Sequence, residues 1–281
     1  MHPSPLISAS ELRDALRTAT PPVVIDTGFD LADPAAGERE YRTAHLPGAH
    51  YLHLDRDLSG PKTGRNGRHP LPSRDVFAAT VARLGIAPDT PVVVYDRHSG
   101  MFAARAWWLL RWLGHEAVAV LDGGWQAWRA AGGDADDAAP AAPRAVAPYP
   151  SRRAAMPTID AATLAASLGR VRLLDARAPE RFRGEVEPLD AQAGHIPGAL
   201  NRFFKLNLAA DGRFKPPEQL RVEFAPLVGP DAAAVVHQCG SGVTASHNVL
   251  AMEVAGLGTS ALYPGSWSEW SADPDRPIAK G

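Results

Sequence analysis

The stretch "AAVVHQCGSGVTASHN", residues 233–248, runs from an apolar segment through a glycine-spaced loop into a helix-like segment. Val235 and Val236 read as the end of a buried strand. Gly240 and Gly242 can adopt backbone angles closed to other residues, so the chain can curl and turn successive N–H groups inward. A helix is predicted from Val243 to Ala255, with Gly256 and Gly258 as stop signals. Cys239, the only cysteine, then falls at the carboxyl end of a strand, where open α/β sheets place ligands. A helix N-terminus and a ring of N–H groups stabilise negative charge, favouring thiolate over thiol and equally a persulfide anion. That reading requires an accessible sulfur. A lone cysteine is more often a small buried hydrophobe, but the strand–Cys–Gly-x-Gly–helix setting favours chemistry.

Outward from this loop the chain repeats itself. "AHLPGAH" (44–50) matches "GHIPGAL" (194–200), and each is preceded by an apolar run ending in aspartate, "PVVIDTG" at Asp26 and "VRLLDAR" at Asp175. Each is followed by a second run, "PVVVYDRHSG" (91–100) and "AAVVHQCGSG" (233–242), and then by a glycine-tryptophan element, "LDGGWQAW" (121–128) and "LYPGSWSEW" (262–270). Four landmarks in one order indicate an ancestral duplication. Short β-branched runs alternate with longer helix-period segments such as "FAARAWWLLRWLG" (102–114), which implies parallel sheets covered on both faces. The fold class expected is α/β, two tandem domains at 1–135 and 156–281. Residues 136–155, rich in proline and alanine, are the linker.

Composition bounds the function. With 281 residues, 45% hydrophobic and 21% charged, the chain is globular and long enough for two cores. A net charge of −2 gives no global pull toward nucleic acid or anionic membrane. One cysteine excludes an intrachain disulfide and a multi-thiolate zinc site. No signal-peptide pattern and no membrane-length apolar run is present, so a cytoplasmic protein is expected, with no cofactor and no metal.

"CGSGVTA", "YPGSWSEW", "RFRGEVEP" and "GHIPGA" together resemble the tandem-domain rhodanese family, the thiosulfate and 3-mercaptopyruvate sulfurtransferases, over nearly the whole chain. The resemblance implies a catalytic C-terminal domain and an N-terminal copy without the cysteine, and the first loop, "YDRHSGMFAAR", indeed has none. It implies that Cys239 carries sulfur as a persulfide, with Gly240, Gly242, Val243 and Thr244 lining the donor. Gly240 and Ser241 after the cysteine resemble the mercaptopyruvate type, whereas thiosulfate members tend to carry basic residues there. In that type Ser241 would act with His69 and Asp55, and Arg181 would hold the donor carboxylate, with Arg183 to assist. Leu189 stands where a second substrate arginine is expected. The partners implied are a small sulfur donor and a thiol or cyanide acceptor, including a thioredoxin-like protein.

The remaining candidates have bland readings. Thr244 either presents its hydroxyl to the loop or caps the helix. His237 and His247 read as packed or solvated, and His45 and His195, present in both copies, as turn histidines bonded to backbone. The tryptophans read as packing residues, with Trp267 allowed near the mouth of the site. A cysteine-dependent phosphatase would need an arginine at position 245, which is alanine. The remaining alternative is a non-catalytic persulfide carrier or a regulatory binding module of the same fold.

Overall fold

The computed structural model describes residues 4–143, 146–150, 152–229 and 231–281. These form two compact units, one of residues 1–60, 72–155 and 210–213, the other of residues 61–71, 156–209 and 214–281.

In the first unit β1 (Leu6–Ile7) leads into α1 (Ala9–Ala15). Ser8 caps that helix reciprocally: its hydroxyl accepts from the Glu11 N–H while the Glu11 carboxylate accepts from the Ser8 N–H at 2.8 Å. Then follow β2 (Val23–Asp26), α2 (Ala36–Thr43), β3 (His50–Tyr51), α3 (Arg74–Arg83), β4 (Val92–Tyr95), α4 (Ala103–Leu113), β5 (Val118–Leu121) and α5 (Gly124–Ala130). The five strands are parallel, in the order β1-β5-β4-β2-β3. Val24, Val93, Tyr95, Ala119 and Leu121 pack with Leu12 and Trp128 on one face. Ile25, Val94 and Val120 alternate to the other face and are equally buried. That double burial is why the strands read as unbroken apolar runs. The helix predicted over 102–114 stops at Gly114, whose φ of 92° ends it in the left-handed region.

The second unit repeats the plan. It contains α6 (Ala161–Ser167, capped by Asp160), β6 (Arg172–Asp175), α7 (Pro179–Phe182), β7 (Leu200–Asn201), α8 (Pro217–Val228), β8 (Val235–Gln238), α9 (Val243–Val254), β9 (Ala261–Leu262) and α10 (Ser266–Trp270). The parallel order is β7-β6-β8-β9, and Thr158 bridges Leu262 at the edge where the first unit has β1. Topology thus agrees with the duplication read from the sequence. Both H-x-P-G-A turns close alike: His45 bridges Asp136 and His195 bridges Ala279. Each ring Nδ1 bonds a backbone carbonyl, at 2.7 Å for His45 with Tyr41 and 2.8 Å for His195 with Phe182, and stacks on that aromatic ring. Both histidines are structural, for the backbone-bonding reason expected.

The units do not follow the chain continuously. Residues 61–71, inside the N-terminal stretch 1–135, belong to the second unit because the Arg68 N–H donates to Ser268 Oγ at 3.0 Å and Gly67 packs on Gly265. Residues 136–155 group with the first unit rather than standing apart. There the Tyr149 hydroxyl lies 2.9 Å from Nδ1 of buried His115, and the Arg74 guanidinium donates to the Arg152 carbonyl. Arg144, Ala145 and Ser151 of that stretch lie outside the described residues. Among the described residues no helix is long and apolar enough to cross a membrane.

His237 on β8 is fully buried, its Nε2 3.1 Å from Met252 Sδ, and burial pushes its pKa down to about 3. Its neutral form is the folded form, so stability falls as pH drops below about 6.5, the unfolded value, at about 1.4 kcal/mol per pH unit. His237→Leu is expected to remove about 2 kcal/mol of the stability lost between pH 7 and pH 5. Urea unfolding curves at the two pH values measure it.

Candidate active site

Loop 239–242 joins β8 to α9, and its geometry explains its glycines. Gly242 caps α9 with a φ of 77°, and a Cβ there would overlap the Pro264 carbonyl oxygen. A Cβ on Gly240 would meet Arg68 Nη2 at 2.8 Å and Arg181 Nη1 at 3.5 Å. Gly240 is therefore small so that two guanidiniums can approach the loop. Every helix leaves its first N–H groups without intrahelical partners, so α9 presents such groups at the end where Cys239 and Ser241 sit.

The Gly-Trp element holds the loop from beneath. The Cys239 N–H donates to Ser266 Oγ at 3.1 Å, and that hydroxyl donates to the Tyr263 carbonyl at 2.9 Å. The N–H groups of Trp267 and Ser268 donate to the carbonyls of Cys239 and Gly240 at 3.0 and 2.9 Å. Ser266 itself is held at a φ of 55°, a left-handed conformation strained for a residue with a Cβ.

Cys239 is 2% exposed, which departs from the accessible sulfur that the sequence reading requires: both of its backbone groups are fastened to this element. The accessible groups beside it are the guanidiniums of Arg68 and Arg181, with side-chain exposures of 27% and 17%. Ser241 and His69 are also buried, and Ser241 Oγ lies 2.8 Å from His69 Nδ1. That contact lies wholly in the second unit, because His69 belongs to segment 61–71.

Of the other residues named from sequence, Arg181 borders the loop, while Val243 and Thr244 open α9, with Thr244 half-buried. Thr244 does not cap the helix, since Gly242 holds that position. Asp55 belongs to the first unit, in the turn after β3, where its N–H donates to His53 Nδ1 at 3.1 Å. Arg183 is not brought to the loop; Glu185 holds it in an exposed ion pair at 2.7 Å. The Trp267 N–H donates to the Cys239 carbonyl, and its buried ring lies under the Arg177 guanidinium. His247 stacks on Phe214 with ring centroids 4.5 Å apart and lies beside Asn207, within the core.

Sequence reasoning missed Arg68 and the acids behind both arginines. Asp190 pairs with Arg68 and lies 3.3 Å from Arg181; Glu187 holds Arg181 at 2.6 Å and reaches Arg177 at 3.4 Å. Burial pushes Asp190 above the ordinary carboxylate range against the pull of Arg68. The signals were present, an arginine before His69 and acids at 187 and 190, but surface ion pairs look the same in a sequence.

The first unit supplies an internal comparison. Asp26 pairs in register with Tyr95, and Asp175 with Gln238, so Asp96 occupies the position of Cys239. Oδ1 of Asp96 accepts from the N–H groups of His98 and Gly100 at 2.8 and 2.9 Å, and Oδ2 from those of Phe102 and Ala103 at 2.7 and 2.9 Å. In the copy without a cysteine, the same strand–loop–helix junction wraps four amides around an anion. Among the described residues no group of three or more His, Cys, Asp or Glu side chains is placed to hold a metal.

Comparison with known proteins gives the family of the chain. The rhodanese-like domain matches twice, at residues 8–131 and 160–273. A Pseudomonas aeruginosa protein named "Probable 3-mercaptopyruvate sulfurtransferase" is 48% identical, over 100% of both chains. A thiosulfate sulfurtransferase of Cricetulus griseus is 33% identical over 98% of this chain and 95% of its own. The solved structure of 3-mercaptopyruvate sulfurtransferase from Leishmania major superposes with a TM-score of 0.85 at 32% identity, covering 96% of this chain and 75% of that one.

Ser266→Ala is expected to leave the buried Cys239 N–H unpaired, at a cost of about 1–3 kcal/mol, and to loosen the loop. A lower urea midpoint together with faster alkylation of Cys239 by iodoacetamide would register both effects. With two domain matches, one duplicated topology and a single cysteine in the second copy, the chain belongs to the rhodanese family as a tandem-domain sulfurtransferase.

Proposed function

We propose that the chain takes sulfur from a 3-mercapto-2-oxo acid, 3-mercaptopyruvate being the simplest, and passes it to a thiol or cyanide through a Cys239 persulfide. The observation that carries this reading is the Ser241–His69 contact at 2.8 Å, one loop residue from Cys239 and beside the Arg68 and Arg181 guanidiniums. A carboxylate donor needs a cationic fork, which the two arginines supply. Arg68 offers the second guanidinium that Leu189 cannot, so the leucine does not argue against this donor class. Thiosulfate is the runner-up donor, since relatives of both names resemble the chain.

In the first half-reaction the Cys239 thiolate attacks the donor sulfur. A sulfur–sulfur bond forms and the carbon–sulfur bond breaks, leaving its electron pair on carbon. The thiol proton of the donor ends on that carbon, which becomes the methyl group of pyruvate. Ser241 and His69 form a hydroxyl–imidazole pair suited to moving this proton or to bonding the 2-oxo oxygen. Asp55 is proposed, on the family resemblance, as the carboxylate partner of His69. In the second half-reaction the acceptor attacks the outer sulfur, the sulfur–sulfur bond breaks, and the thiolate returns. The amides at the start of α9 favour the anionic persulfide, as the Asp96 carboxylate is held in the first unit. The acceptor class includes a thioredoxin-like dithiol protein, and a reducing, cytoplasmic setting suits a lone reactive thiol.

Mass spectrometry after mercaptopyruvate treatment should show a gain of about 32 Da on Cys239, one sulfur atom in place of a covalent intermediate of other mass. Cys239→Ser should abolish both the adduct and thiocyanate release. A single equivalent transferred without turnover would instead mark a carrier. Ser241→Ala and His69→Gln should each lower kcat with mercaptopyruvate by about 10² or more, and thiosulfate turnover less. Arg181→Met should raise the KM for mercaptopyruvate; an unchanged KM would remove Arg181 from the donor site.

A further inference from the structure

Both guanidiniums at Gly240 are already answered by acids. Arg68 pairs with Asp190, and Arg181 with Glu187 and Asp190. Behind them Arg177 pairs with Asp175 and Glu187. Three guanidiniums and three carboxylates thus form one continuous, formally neutral chain. Asp190 is the member common to both loop-facing arginines, and its side chain is only 5% exposed. A carboxylate in that place cannot be screened by bulk water as a surface acid is, so its charge is felt at the loop.

The consequence is a choice by donor charge. Mercaptopyruvate brings one negative charge on its carboxylate, whereas thiosulfate brings two. A fork whose net charge is cancelled still offers directed N–H donors to a carboxylate, through fork geometry. It offers a dianion little excess field to offset the loss of its hydration. We propose that Asp190, acting through Arg68 and Arg181, sets the donor preference of this site: it tunes the loop to singly charged carboxylate donors and against thiosulfate. The inference rests on the function proposed above and adds to it a residue that decides between its two donors.

The test is kcat/KM for mercaptopyruvate and for thiosulfate, with cyanide as acceptor, on the full-length chain and its variants. Asp190→Asn, which keeps the shape and removes the charge, should raise the thiosulfate-to-mercaptopyruvate ratio by about tenfold or more, an effect that added salt changes little because the group is buried. Asp190→Glu should return the ratio toward wild type. Glu185→Gln changes net charge equally but at the exposed Arg183 pair, and should leave the ratio alone. If Asp190→Asn does not fold, Asp190→Ser removes the same charge with a smaller side chain and should shift the ratio in the same direction. Parallel losses with both donors, or a ratio within twofold of wild type, would overturn the proposal while leaving the sulfurtransferase reading intact. A wild-type chain that loads no sulfur on Cys239 from either donor would overturn the reading and the proposal together.

Discussion

Arg177 is the post on which the loop corner of the second unit hangs. Its side chain is 1% exposed and grips both oxygens of Asp175 at the end of β6, at 2.7 to 3.1 Å. It also donates to the Gly194 carbonyl at 2.7 Å, reaches Glu187, and lies 4.7 Å over the Trp267 ring. One buried guanidinium therefore joins the sheet, the 184–194 loop and the Gly-Trp element that supports Cys239. A buried pair of this kind adds little net stability over an apolar substitute, but losing one partner typically costs about 3–5 kcal/mol. Its value lies in direction: five donors in a rigid fork fix several chain segments in one register.

The first unit solves the same problem from a different chain position. There Arg97 stacks on Trp125 at 4.5 Å and lies 3.6 Å from Asp26 and 3.3 Å from Glu40. By strand register Arg97 is the counterpart of Gly240, and Gly28 the counterpart of Arg177. The two copies have exchanged an arginine and a glycine between two loops. In the first, the arginine occupies the loop after the second long strand and the junction closes on its own Asp96. In the second, moving the arginine to position 177 leaves position 240 without a side chain, and Arg68 and Arg181 approach there. The same exchange that keeps the Asp–Arg–Trp corner leaves room for two guanidiniums at Gly240.

Much of this was legible in the residues. The apolar runs ending at Asp26, Asp175, Tyr95 and Gln238 became parallel strands because helices cover both faces, so no polar alternation interrupts them. Ser241, His69 and Arg181 were found by motif, and they meet at the loop. Arg68, Glu187 and Asp190 were not, since an arginine or acid carries no local mark that says whether its partner is solvent or another buried charge. Arg183 was overvalued for the same reason: its neighbour Glu185 takes it to the surface.

Local sequence by itself determined the elements and their repetition, because strand burial, helix caps and glycine turns depend on residues close together in the chain. It also determined that Cys239 opens a helix at a strand end. What only the tertiary structure decided is which distant segments share that loop. Residues 61–71 bond to 264–268, the Trp267 ring lies under Arg177, and one acid stands between two arginines. Those contacts join positions more than a hundred residues apart in some cases, and no periodicity along the chain encodes a hydrogen bond made across that distance.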